Sequence, residues 1–299
     1  MRRLLLAVVL CLTANPLFAW GEKGHYLVAE AATMNLPSDM PPFFYKAFPE
    51  LIWLAYDPDR LRNAGESIDA VNPPDHFMDY EYAADLQLPP DRYKYIALLE
   101  STGTLRRHGI DAPTIGFLPW RIAEMSEYLQ NLWKQWRASR AGSPERLFIE
   151  HEIIHVAGVL GHFAGDSAQP LHATTNFNGW VDPNPNGYAN DCEIHSRFET
   201  SFVARAITAG DVTPKVAPLR ARSDYFASAI EMIRSSNALA EQLYRIDRDG
   251  GFNVFRTPST EAKEFTAQRI AAGGALLRDL WWSAWKSSEK PVKKKATED

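Results

Sequence analysis

Residues 143–172 read SPERLFIEHEIIHVAGVLGHFAGDSAQPLH. Ser143-Pro144 is a helix start, because the hydroxyl can accept a free N–H of the first turn and the proline sits where its missing N–H is not needed. The spacing predicts a helix through Leu160 to about Asp166, which Pro170 ends so that His172 returns from a turn. His162 and Asp166 are four apart and share a face of that helix. Together with His172 they place three ligand groups within eleven residues. Zinc accepts imidazole nitrogen and carboxylate oxygen together, and a carboxylate between imidazoles can bridge two ions. The competing explanation for one such pair is a buried His–Asp hydrogen bond in a helical core. Further candidate ligands elsewhere in the chain argue against it.

Outward from this stretch the same periodicity continues. Residues 22–36 place Tyr26, Ala29, Glu30 and Thr33 at turn-like spacing, and residues 119–139 carry Ile122, Met125, Leu129 and Leu132 on one stripe. Residues 223–247 and 259–286 read as two more long amphipathic helices. Stretches rich in Pro, Asn and Gly, residues 58–74 and 176–191, read as loops. No alternation of apolar and polar residues suggests a sheet, and there is no internal repeat or long linker. The expectation is an all-α fold, a single multi-helix bundle with a metal cleft at one end. At 299 residues with 45% hydrophobic and 23% charged, the chain is large enough for one sizeable core.

The two ends differ from the rest. Met1-Arg2-Arg3, the apolar run from Leu4 to Leu12, and Asn15 to Ala19 have the layout of a secretory signal peptide cleaved after Ala19. The expected organisation is therefore a signal peptide at 1–19, one enzyme domain at 20–289 and a polar tail at 290–299. A periplasmic or secreted location follows, without stable membrane insertion, since no later run approaches the roughly 20 apolar residues of a spanning helix. A monomer is expected. The net charge is -5, and losing Arg2 and Arg3 makes the mature chain more acidic. Such a chain does not advertise a nucleic-acid surface, although bound metal ions add positive charge that a residue count omits.

The chain has eight histidines. His195 and Glu199 repeat the four-residue spacing of His162 and Asp166. Asn72-Pro73-Pro74-Asp75-His76 holds His76 on a stiff approach. In Trp20-Gly21-Glu22-Lys23-Gly24-His25, cleavage would make Trp20 the N-terminus, whose free amine and carbonyl can chelate an ion. His151-Glu152-Ile153-Ile154-His155 matches the zincin pattern of two histidines four apart with a glutamate base. A zincin-type metalloprotease is therefore one rival reading, and a non-catalytic zinc protein is another. On one long helix, His151 and His155 fall on nearly the same stripe as His162 and Asp166, which suggests that they line or buttress the same site. Trp281, Trp282 and Trp285 lie at helical spacing and read as core rather than a lipid-binding face.

Taken together, these motifs resemble the superfamily of trinuclear-zinc phosphoesterases, which includes bacterial zinc-dependent phospholipase C and the fungal and plant single-strand-specific nucleases. The resemblance is strongest over Trp20 to His25, around His76, and over Leu160 to Glu199. It implies three zinc ions. Trp20 and His25 would hold one. His76, His162 and Asp59 would hold a second, with Asp57 the alternative to Asp59, and Asp166 would bridge these two. His172, His195 and Glu199 would hold the third. Asp59 would also act catalytically, orienting the attacking water and helping to remove its proton. Glu199 looks like the phospholipase version, whereas the gaps from Trp20 to His25 and from His172 to His195 look like the nuclease branch. The resemblance implies a nuclease acting on single-stranded nucleic acid as the main reading. The alternative is a phospholipase C acting on phospholipid head groups.

Overall fold

The computed structural model describes residues 20–181 and 183–289; the expected signal peptide and polar tail lie outside them. Every regular element among the described residues is helical. Seven helices carry the architecture: α1 (Glu22–Met34), α2 (Phe48–Leu54), α3 (Leu118–Ala138), α4 (Pro144–Ala168), α5 (Tyr225–Asn237), α6 (Ala240–Arg248) and α7 (Thr260–Ser287). No described helix is long and apolar enough to cross a membrane.

The helix starts follow their local chemistry. Ser143 caps α4 through the Arg146 amide at 3.2 Å, Asp224 caps α5 through Ala227 at 2.8 Å, and Ser259 caps α7 through Ala262 at 3.0 Å. α4 is the central element, packed on α1, α2, α3, α5 and α7. It is buried on all sides from Val156 to Ala168, which only a helix surrounded by others can be. Small residues allow the close crossings. A Cβ added to Gly274 of α7 would lie 2.9 Å from the Ala31 Cβ of α1, and one on Gly273 would lie 3.3 Å from the Gly165 Cα of α4. Trp281 and Trp285 are buried, and the Trp282 indole donates to Asp39 at 3.0 Å, so this stripe packs the core.

Two expectations needed correction. Residues 223–247 are two helices rather than one. At the break, Ser236 donates to the Ser167 carbonyl (2.7 Å) and Asn237 to the Ala173 carbonyl (2.8 Å), so tertiary hydrogen bonds redirect the chain where no proline or glycine marks it. Residues 58–74 are not simply loop, since they include the short helices Asp57–Arg60 and Glu66–Val71 and the start of a 3₁₀ turn, Pro73–His76. Pro58 and Pro73 fall in first turns, where proline starts a helix rather than breaking one. Residues 176–191 remain irregular where described. They are tied to α6, with the Tyr244 hydroxyl donating to the Asn176 carbonyl at 2.6 Å and accepting from the Gly179 amide at 2.9 Å.

Candidate metal centre

The C-terminal end of α4 carries His162 and Asp166 into the interior, both fully buried. α1 brings His25, whose ring stacks on His162 with centroids 3.8 Å apart and planes at 15°. His25 Nε2 stands 3.5 Å from Asp166 Oδ1. The segment before α1 is anchored at the same place, since the buried Trp20 indole donates to the Gly165 carbonyl at 2.9 Å. Gly24 is obligatory for this seat, because a Cβ there would lie 2.9 Å from the Trp20 Cβ. The Trp20 indole and the His25 ring therefore both sit at the Gly165–Asp166 end of α4.

The turn Pro73–His76 delivers His76, with Nδ1 3.2 Å from Asp166 Oδ2. Asp59 lies with Oδ1 3.8 Å from His76 Nδ1 and 3.7 Å from His162 Nε2. That same oxygen accepts from Arg62 Nε at 2.7 Å. Asp57 instead pairs with Arg60 at 3.5 Å, nearer the surface. On the other side of Asp166, His172 meets the helical turn that carries His195 and Glu199. This turn begins at Ile194–Ser196 and continues as a π-helix over Arg197–Phe202, a distortion often found at functional sites. His195 Nε2 is 2.9 Å and His172 Nε2 3.7 Å from Glu199 Oε2.

The structure therefore gathers three sets whose ligand atoms lie within 4.8 Å of one another: His25, His162 and Asp166; Asp59, His76 and His162; and His172, His195 and Glu199. Two ligand atoms about 2.1 Å from one tetrahedral ion stand roughly 3.4 Å apart, and the distances above straddle that value. Hydrogen bonding shows what the sets are built for. His162, His172 and His195 each turn Nδ1 to a backbone carbonyl, of Ala55 (2.9 Å), His76 (2.7 Å) and Phe177 (2.9 Å). A carbonyl can only accept, so each Nδ1 carries a proton and Nε2 is the ring atom turned inward, the arrangement seen at metal sites. His172 Nε2 and His195 Nε2 then face each other at 3.2 Å. At that distance the two nitrogens need a cation between them, either a metal ion or a proton. Of the buried side-chain polar atoms without a well-aligned hydrogen bond, most belong to these sets: both His25 nitrogens, Asp59 Oδ2, His76 Nε2, both Asp166 oxygens and Glu199 Oε1. Such concentration of unsatisfied atoms calls for an ion.

The electrostatics agree. Burial, reinforced by His162, holds His25 well below the usual imidazole range, and burial takes His76 down to about 4; both are neutral and ready to ligate. Burial pushes the Asp166 carboxyl up, but His162 and His172 outweigh it and hold the group ionised well below the carboxylate range. Burial also disfavours the His172 imidazolium, yet Asp166 and Glu199 overcome this and raise it to about 9. In the metal-free protein a proton therefore stands in for the cation.

Gln169, in the run just before His172, also contributes. Gln169 is fully buried. Its Oε1 accepts from the Leu171 amide at 2.5 Å, which fixes the flip of the amide, and its Nε2 donates to Glu199 Oε2 at 2.9 Å. The zincin histidines are not brought to the site. His151 and His155 are exposed and belong to none of the three sets. They share the stripe of His162, but His151 lies eleven residues away, about 16 Å along the axis, where that face of α4 is open to solvent.

Among solved structures the fold is similar to that of clostridial alpha toxins. For the alpha toxin of Clostridium absonum the TM-score is 0.51 at 12% identity, over 92% of this chain and 68% of the toxin. For the alpha-toxin from an avian strain of Clostridium perfringens it is 0.46 at 14% identity, over 92% of this chain and 66% of the toxin. At these identities the likeness is one of fold. No protein-family model matches the sequence, and no curated protein matches it.

Proposed function

We propose that the chain is an exported zinc-dependent phosphodiesterase that cleaves single-stranded nucleic acid. The observation that carries the metal chemistry is the facing pair His172 and His195, each ring locked by a carbonyl at Nδ1 so that the two Nε2 atoms meet at 3.2 Å. Trp20 and His25, with Asp166, would hold one ion, Asp59, His76, His162 and Asp166 a second, and His172, His195 and Glu199 a third. Imidazole with carboxylate, and no thiolate, fits zinc.

Bound there, zinc would lower the pKa of water toward 7 and neutralise charge on the phosphoryl oxygens. The chain's own contribution is positional. Arg62 holds Asp59 Oδ1 and leaves Oδ2 free of hydrogen bonds, so that Oδ2 would orient the attacking water and take its proton. Gln169 fixes Glu199, and the three carbonyl-bound histidines keep the cluster preorganised, so little rearrangement accompanies the reaction.

Support for nucleic acid is twofold. A cavity of about 720 Å³ adjoins His195, with the exposed Phe255 among its lining residues; this size suits a nucleotide-sized group, and an exposed ring can stack on a base. Trp281 and Trp285 are buried and so are not part of a lipid-facing stripe. Glu199 favours the second reading, a phospholipase C. The test is turnover of single-stranded DNA, duplex DNA and phosphatidylcholine vesicles by the zinc-loaded mature chain, with Asp59→Asn alongside. We expect cleavage of single-stranded DNA, with kcat in Asp59→Asn falling by about 10² or more and KM little changed. Cleavage of the lipid alone would select the second reading, and full turnover by the variant would remove Asp59 from the chemistry.

A further inference from the structure

The motif His151-Glu152-Ile153-Ile154-His155 lies outside the buried cluster, yet its geometry is that of a ligand pair. Residues four apart on an α-helix are rotated by only about 40° and rise about 6 Å, which puts their Cβ atoms about 5–6 Å apart. α4 is uninterrupted here, and the buried Ile153 and Ile154 seat it against the core. His151 and His155 consequently face outward together, both exposed. Among the described residues neither imidazole has a hydrogen bond or ion pair that would compete for its nitrogens.

We propose that His151 and His155 form a separate surface site for a divalent transition ion of the imidazole-preferring class, such as zinc, copper(II) or nickel(II). Two imidazole nitrogens can reach one ion at about 2.0–2.1 Å from this spacing. The absence of a carboxylate from the pair selects against calcium and magnesium, which want oxygen ligands. Glu152 does not convert the pair into a protease site. It projects from a different side of the helix, and its Oε1 accepts from the Tyr128 hydroxyl at 2.8 Å. With two protein ligands the remaining positions go to water, so the site binds more weakly than the buried sets and exchanges freely. It is independent of the reaction the enzyme performs, and it bears on any count of metal per chain, because excess metal would fill it as an additional equivalent.

The test is calorimetric titration of nickel(II) chloride into the zinc-loaded protein after removal of loosely held metal, for the native chain and for His151→Asn and His155→Asn. The expected result is one further equivalent in the native chain, weakened at least about tenfold in each variant, since even an outer-sphere partner of a metal ligand is worth that much. Helical content and phosphodiester turnover should be unchanged, both side chains being on the surface. No further equivalent in the native chain, or an equivalent that survives either substitution, would overturn the proposal.

Discussion

Replacing Gln169 by leucine removes two hydrogen bonds from the interior without greatly changing volume. The Leu171 amide, which gives its proton to Gln169 Oε1 at 2.5 Å, loses its acceptor, and Glu199 Oε2 loses the donor at 2.9 Å. Each buried group left unsatisfied costs about 1–3 kcal/mol, so the metal-free protein should be destabilised by about 2–6 kcal/mol. The effect on metal is local. Glu199 belongs to the set with His172 and His195, and loss of a partner that orients a ligand typically weakens an ion about 10- to 100-fold. The assay is zinc retained against increasing concentrations of a chelator, read beside denaturant unfolding of the metal-free protein. One zinc of three should leave at a chelator concentration at least about tenfold lower than in the native chain, while the other two leave as before. A variant that holds all its zinc at native chelator concentrations, with an unchanged unfolding midpoint, would refute the claim that Gln169 positions Glu199.

Other outcomes follow from the same geometry. A chain starting Met-Trp20 should bind one zinc fewer than one starting at Trp20, because a blocked amine cannot chelate; equal zinc contents would exclude the terminal amine as a ligand. Zinc uptake by the metal-free protein should release protons. His172, raised to about 9, carries below that pH the proton an ion must displace. Affinity for that set therefore rises about tenfold per pH unit and levels off above about 9, which calorimetry in buffers of differing ionisation enthalpy would measure. Gly24→Ala should destabilise the protein and loosen Trp20, since the added Cβ would lie 2.9 Å from the Trp20 Cβ; unchanged stability and zinc content would show that this seat is not rigid.

Much of the architecture could be read from residues whose roles are local. Ser143-Pro144 marks the start of α4 because capping is a property of adjacent atoms, and His162 with Asp166 share a face because helix geometry fixes that spacing. What escaped depends on partners distant in the chain. The break between α5 and α6 is made by Ser236 and Asn237 bonding to carbonyls near residue 170. The π-helical turn at Arg197–Phe202 has no local signature. The locks on three histidine rings are carbonyls of Ala55, His76 and Phe177, and any residue could supply a carbonyl. His151 and His155 show the converse: a helical stripe predicts direction around the axis and says nothing of where along it that face opens to solvent.

Zinc per chain tests the central claim most directly. It should be measured by elemental analysis of mature protein whose first residue is verified as Trp20, after dialysis that strips weakly held surface ions. Three tightly bound zinc ions per chain is the predicted value. A value near one would contradict the account, leaving the sets built on Trp20, His25 and Asp59 without their ions and the three-ion reading without support.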